Sequence, residues 1–200
     1  VRERTWLARV DGQAVGVAEA SLSYVDNLAN ADVEVQVHPR MRRTGLGRRL
    51  LGDVLAHCRD EGRTTVIGST VEALPGGAPR DPAGNAFAAA VGASPARQDV
   101  RSRLDLTRFN EDRMSDLLAD AWTQASGYSL VQWRERAPER YVADVARLDS
   151  RLLEDAPTGD LKIEPEAIDV ERTRAIEQTR LARGDRCFHT GLRHDATDAL

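Results

Sequence analysis

The stretch from Val33 to Leu51 constrains this chain more than any other. Val33, Val35 and Val37 alternate with Glu34 and Gln36, the period-2 pattern of a strand with one apolar face. Pro39 ends that strand, and Gly45 and Gly47 follow closely. Leu46, Leu50, Leu51, Val54, Leu55 and Cys58 then fall at helical spacing, and Gly62 stops the pattern. A strand, a glycine loop and a helix that starts at the loop together make an anion site. The first helical turn has unpaired backbone N–H groups and the positive end of the helix dipole. Glycine lets that backbone approach a ligand with no Cβ in the way. Arg40, Arg42, Arg43, Arg48 and Arg49 add five positive charges around the loop, in a chain whose net charge is −4.

Other segments can be read on either side of this stretch. Thr5 to Val10 and Ala14 to Ser23 flank Asp11-Gly12 and read as a hairpin. Thr64 to Val71 is rich in β-branched residues and reads as a buried strand. Residues 75–84 hold three prolines and three glycines and read as a loop. Asn85 to Val91 reads as an alanine-rich helix, and Val100 to Leu106 as a closing strand. Beyond Phe109, Met114, Leu117, Leu118, Ala121 and Trp122 mark an amphipathic helix broken at Gly127. Tyr128 to Trp133 is a strand candidate, and Pro138 opens a helix with the stripe Tyr141, Val142, Val145, Leu148 and Leu152. A charged helix runs from about Pro165 to Arg183, and Arg186 to Arg193 reads as a last strand. Trp122, Tyr128 and Trp133 are expected in the core.

Charge divides the chain. Residues 1–108 carry 15 Arg against 13 Asp and Glu, whereas residues 109–200 carry 13 basic against 19 acidic residues. The acidic total argues against a general nucleic-acid binder. No apolar run has the roughly 18 residues a membrane span needs, and no signal peptide opens the chain. Cys58 and Cys187 form neither a disulfide framework nor a paired metal motif. The expectation is a reduced, cytoplasmic protein without metal. The chain opens at Val1 rather than Met and is expected to lack its true start.

Two familiar anion loops do not fit. The dinucleotide fingerprint needs a glycine where Leu50 stands, and a Walker A loop needs a lysine that this loop lacks. Arg42-Arg43-Thr44-Gly45-Leu46-Gly47 instead resembles the Q/R-x-x-G-x-G/A loop of the GCN5-related N-acetyltransferase (GNAT) superfamily, as do His38-Pro39 before it and Arg48-Arg49-Leu50-Leu51 after it. The resemblance implies an α/β fold, a mixed β-sheet flanked by helices. It implies acetyl-CoA as co-substrate, with Arg42, Arg43, Thr44, Gly45, Leu46, Gly47 and Arg48 around the pyrophosphate. It also implies that Val35, Gln36 and Val37 pair their backbone with the pantetheine arm, and that the next strand splays away to leave a cleft.

The resemblance covers residues 1–108 from the family's second strand onward, without the first strand and helices. Residues 109–127 read as a linker helix. The segments GYSLVQW, APERYVADVARL, EDAPTGD, ERTRAIEQ and RHDAT within 127–197 look like the start of a second domain in actinobacterial tandem acetyltransferases of the mycothiol-synthase type. Residues 128–200 are thus expected to be the truncated beginning of a second GNAT-like domain.

The implied function is transfer of an acetyl group to a primary amine, on a small molecule or a peptide, by direct attack in a ternary complex. A base must take the ammonium proton, and an acid can protonate the leaving thiolate. Glu34 and Glu72 are the candidate bases. The family's tyrosine acid corresponds to Ala88 and a nearby asparagine to Asp81. His38, His57 and Cys58 read as structural. His189 and His194 lack further ligands for a metal. Tyr24 either edges an acceptor cleft or packs. No nucleic acid or membrane partner is expected. A homodimer, or pairing with the missing parts of a tandem chain, would complete the fold. The alternatives are a non-catalytic acyl-CoA-binding or interaction module, or an inactive fragment of a tandem acetyltransferase.

Overall fold

The computed structural model describes residues 1–200, except for the side chain of Asp155. The chain forms two compact units. One comprises Val1–Arg97 with Thr158–Glu164, the other Gln98–Pro157 with Pro165–Leu200.

The first unit is a mixed four-stranded sheet with two helices. Its strands are β1 (Arg2–Val10), β2 (Gln13–Leu22), β3 (Asn30–Val37) and β4 (Thr65–Ile67), paired in that order. β1–β2 and β2–β3 are antiparallel, and β3–β4 is parallel. The β1–β2 turn places Asp11 and Gly12 at positive φ, as a two-residue hairpin connection requires. Helix α1 (Leu46–Asp60) returns the chain from β3 to β4. It buries Leu50, Val54 and Cys58 against Ala18, Ala20, Leu22 and Ala31, with Trp6, Val33, Val35 and Val37 packed around them. The alternation seen in the sequence therefore assigns faces correctly: the valines of β3 face α1, and Glu34 and Gln36 are exposed on the other face. Gly16 sits below α1, where an added Cβ would come within 3.0 Å of Leu50 Cδ1.

Two expectations are corrected here. The segment expected as a buried strand from Thr64 to Val71 pairs only over Thr65–Ile67, and Val66 is 40% and Val71 64% exposed. β-branched composition supplied the propensity, but the partner strand is lost after Asp32↔Ile67. At Gly68 the backbones still pass so closely that a Cβ would stand 3.2 Å from Val33 O. No strand pair follows it. The closing strand expected over Val100 to Leu106 does not form. Those residues alternate, but β4 has no further neighbour for them to pair with, and only a 3-10 turn at Leu106–Arg108 appears. Helix α2 (Ala83–Ala90) lies near the expected position. Thr158–Glu164 is bound to the start of β3: Asn27 both accepts from Glu164 N–H at 2.7 Å and donates to Glu164 O at 3.0 Å, and Asn30 donates to Lys162 O at 2.8 Å.

The second unit contains α3 (Glu111–Gln124), β5 (Tyr128–Arg134), α4 (Val142–Asp155), α5 (Val170–Ala182) and β6 (Phe188–His194). β5 and β6 pair antiparallel although more than fifty residues separate them. Asn110 caps α3 by accepting from Arg113 N–H, with Glu111 and Asp112 in the first turn. The apolar stripe of α3 stays largely uncovered. Trp122 and Tyr128, expected in the core, are 38% and 46% exposed, whereas Trp133 is half-buried and stacks on His189. α4 begins four residues after Pro138, because Tyr141 and Val142 N–H both bond Pro138 O in a preceding turn. α5 begins after Asp169 rather than at Pro165. Ser150 on α4 bonds both backbone groups of Ile168, and Asp169 caps the helix. Among the described residues no helix is long and apolar enough to cross a membrane.

Candidate functional site

The site is built where β3 ends. His38 N–H donates to Val15 O, on the β2 side, and Thr65 N–H donates to Ala29 O, on the β4 side. Backbone groups alternate sides along a strand. The backbone of Glu34 and Gln36 therefore faces β2, and that of Val33, Val35 and Val37 faces the β4 side. Since β4 pairs only as far as Asp32, Val35 presents its N–H and C=O groups, and Val37 its N–H group, along an edge with no strand partner.

That edge leads into the loop. A 3-10 turn, Pro39–Met41, is closed by Met41 N–H to His38 O, and His38 Nδ1 accepts from Arg40 N–H. Thr44 Oγ1 donates to Met41 O at 2.8 Å. Arg43 and Gly45 both adopt positive φ, +64° and +88°. Gly45 then caps α1 with no side-chain bond, and no acidic residue stands in the first turn. The N–H groups of Leu46, Gly47 and Arg48 thus open the helix without an internal carbonyl to meet. Gly47 has its own close neighbour: a Cβ there would lie 3.3 Å from Phe87 Cε2 on α2.

The arginines are unequal. Arg42 donates through Nε to Val37 O at 3.3 Å and through a terminal nitrogen to Asp81 Oδ2 at 2.5 Å. Arg48 turns to the C-terminus of α2 and donates to Ala90 O at 2.9 Å. Arg40, Arg43 and Arg49 have no side-chain partner among the described residues. Hydrogen bonds from Arg42 and Ala83 N–H, with the Arg42 charge, hold the Asp81 carboxyl below its ordinary pKa.

The candidate bases are held by separate neighbours. Glu34 accepts from Gln36 on the exposed face of β3, and Glu72, beyond β4, accepts from Asn85 Nδ2 at 3.2 Å. Ala88 lies on α2 and brings no titratable group. Tyr24 donates to Glu61 at 2.7 Å and packs under the guanidinium groups of Arg2 and Arg63, so its role is structural. His57 packs against Trp6 and meets Arg4, and Cys58 is buried, where desolvation raises its thiol pKa. Sequence reasoning missed Asp81 and Phe87 as partners of the loop. The only local signal was Asp81-Pro82 ahead of a short helix, an N-terminal signature.

The second unit has a cavity of ≈ 340 Å³, lined among others by Trp133, Val145, Leu148, His189 and Leu200. His194 bonds Thr197, and His189 stacks on Trp133. No group of three or more His, Cys, Asp or Glu among the described residues is arranged to hold a metal.

Residues 1–74 match the family model "Acetyltransferase (GNAT) family". A solved tandem GNAT protein from the clavulanic acid biosynthesis pathway, without AcCoA, is 33% identical with a TM-score of 0.69, and the match covers 100% of this chain and 56% of that one. Residues 1–74 belong to the GNAT acetyltransferase family, and the whole chain is similar to a tandem GNAT protein. The chain spans little more than half the length of that tandem relative. Further acetyltransferase structures match more distantly. The aminoglycoside N-acetyltransferase AAC(6')-Iy, in complex with a bisubstrate analogue, is 22% identical over 52% of this chain and 69% of its own, with a TM-score of 0.39. A ribosomal-protein-alanine N-acetyltransferase from Brucella melitensis biovar Abortus 2308 is 18% identical over 51% and 72%, also at 0.39. No curated protein matches the chain. The mixed sheet with its flanking helices matches the GNAT fold.

Proposed function

We infer that the first unit binds acetyl-CoA and transfers its acetyl group to a primary amine of a small molecule or peptide. The observation that carries this reading is the open edge of β3 running into the uncapped N-terminus of α1. A pantetheine arm carries amides that pair with such an edge, here at Val35 and Val37 with Gln36 between them. A pyrophosphate suits the N–H groups of Leu46, Gly47 and Arg48 and the charges of Arg42 and Arg43, with Thr44 and Gly45 shaping the turn. The family membership supports the same reading.

The chemistry needs little more than placement. The neutral amine attacks the thioester carbonyl, the tetrahedral intermediate gives its extra nitrogen proton to water, and it collapses with CoA leaving as a thiolate. The amine's proton goes first to a base, and Glu34 and Glu72 are the candidates. Ala88 has no proton to give, so the thiolate leaves unaided or is protonated by water. Residues 1–108 are read as the cofactor-binding domain, 109–127 as a linker helix and 128–200 as the beginning of a second GNAT-like domain. Pairing with a second copy, or with further parts of a tandem chain, would cover the exposed apolar residues. The two free cysteines suit a reducing cytoplasm.

A second reading is a non-catalytic acyl-CoA-binding module or an inactive part of a tandem enzyme. Ala88 and a sheet that ends at a three-residue β4 favour it.

Calorimetric titration with acetyl-CoA tests the binding, and thiol release with a panel of amines tests the transfer. The reading expects binding that weakens at least tenfold in the Arg42→Glu/Arg43→Glu double variant. Unchanged affinity in that variant removes the loop from the site. Binding without turnover of any amine selects the second reading.

A further inference from the structure

Arg42 is already occupied. Its Nε holds Val37 O, one of the backbone groups on the open edge of β3, and a terminal nitrogen holds Asp81 on the segment that follows β4. The guanidinium therefore bridges the end of β3 to the segment after β4, beyond the last strand pair Asp32↔Ile67. Asp81 is itself fixed. Its other carboxylate oxygen accepts from Ala83 N–H at 2.9 Å, an Asx turn that starts α2. The pair is open to water, with the Arg42 side chain 38% and the Asp81 side chain 59% exposed. Exposed pairs of this kind are weak, so a multiply charged phosphate oxygen cluster can displace the carboxylate.

Resting on the acetyl-CoA reading above, we propose that Asp81 is a resident counter-ion that competes with the incoming pyrophosphate for Arg42 and so sets the affinity of the loop. In the unliganded chain Asp81 neutralises Arg42 and keeps it folded onto the end of β3. A bound pyrophosphate takes over the charge, and Asp81 turns to solvent while keeping its bond to Ala83. Asp81 is a tuning residue here and touches no reacting atom.

The test uses the whole 200-residue chain. Wild type and Asp81→Asn are titrated with CoA and with inorganic pyrophosphate, with a thermal melt of each. Asparagine keeps an oxygen for Ala83 N–H and replaces the oxygen that Arg42 holds with an amide NH2, so both the charge and the acceptor for Arg42 are removed. The proposal expects Asp81→Asn to bind both ligands about 2–5-fold more tightly, the range set by an exposed ion pair. Should Asp81→Asn fail to fold, Asp81→Ser, whose hydroxyl also accepts in such a turn, gives the same readout. Equal or weaker CoA binding by a variant with an unchanged melt overturns the proposal and leaves Asp81 as a support that orients Arg42, with the acetyl-CoA reading intact. Absence of CoA binding in both wild type and variant overturns the reading and the proposal together.

Discussion

Gly47 lies against the ring of Phe87, so close that a methyl group on its Cα would stand 3.3 Å from Cε2 and 3.6 Å from Val37 Cγ2. Gly45, two residues earlier, has open space around it but a φ of +88°. The two glycines are thus required for different reasons, and substitution separates them. Gly45→Ala is expected to destabilise the first unit by about 1–2 kcal/mol through left-handed strain. Gly47→Ala gains helix propensity of about 1 kcal/mol and loses a similar amount in moving Phe87. Urea denaturation of both variants checks the contrast, and an equal loss in the two would refute it.

Leu50 joins α1 to the sheet at the point where Gly16 leaves room for it. Leu50→Ala is expected to cost about 2–5 kcal/mol, the range for a buried leucine whose site collapses only partly. A melting temperature within a degree of wild type would show that α1 is not held there.

Glu177 is buried on α5, accepting from Ala137 N–H at 2.7 Å and from Arg174 at 2.8 Å. Glu177→Ala strands the backbone donor and is expected to destabilise the second unit by about 1.5–3 kcal/mol. Glu177→Gln keeps an acceptor for Ala137 and should recover part of the loss in the same denaturation assay.

Acid should unfold the chain through specific carboxylates. Asp81, Asp144 and Asp195 are held below the ordinary aspartate range chiefly by hydrogen bonds from Arg42, from Leu200 N–H and from Ser129. A carboxyl lowered on folding contributes stability that is complete above its unfolded pKa, roughly 4, and is lost as pH falls through its folded value. Asp32 is raised by desolvation and acts in the opposite direction. Glu61 and Asp105 are lowered as well, so five lowered carboxyls stand against one raised, and the melting temperature is expected to fall below about pH 4. Asp195→Asn should flatten part of that fall, and a profile identical to wild type would exclude its contribution.

Much of this architecture could be read from the sequence. Strict alternation placed Val33, Val35 and Val37 on the core face, and helical spacing placed Leu50, Val54 and Cys58 opposite them. Those patterns are local, and one buried face is enough to produce them. β4 misled because propensity reports what a segment tolerates, whereas pairing depends on a neighbour. Thr64 to Val71 had the composition of a strand but a partner for only three residues. The glycine loop was legible for the same reason as β3: its residue types are demanded by backbone geometry. The Arg42–Asp81 bond spans 39 residues. Contacts at that separation leave no periodic trace, and neither does the seat of Phe87 on Gly47.

The unpaired side of β3 also bears on how the protein keeps in storage. A row of amide and carbonyl groups with no strand partner is a template for any extended chain, including another copy of the same one. Prolines and inward-pointing charges commonly blunt such rims, and between Val33 and Val37 there are none on the valine face. Concentrated samples are therefore expected to form oligomers that scatter light, and saturating CoA should suppress the scattering by occupying the rim. Scattering that ignores CoA would place the sticky surface elsewhere. Scattering that CoA suppresses would make the edge proposed to take the pantetheine arm the same surface through which unloaded molecules associate.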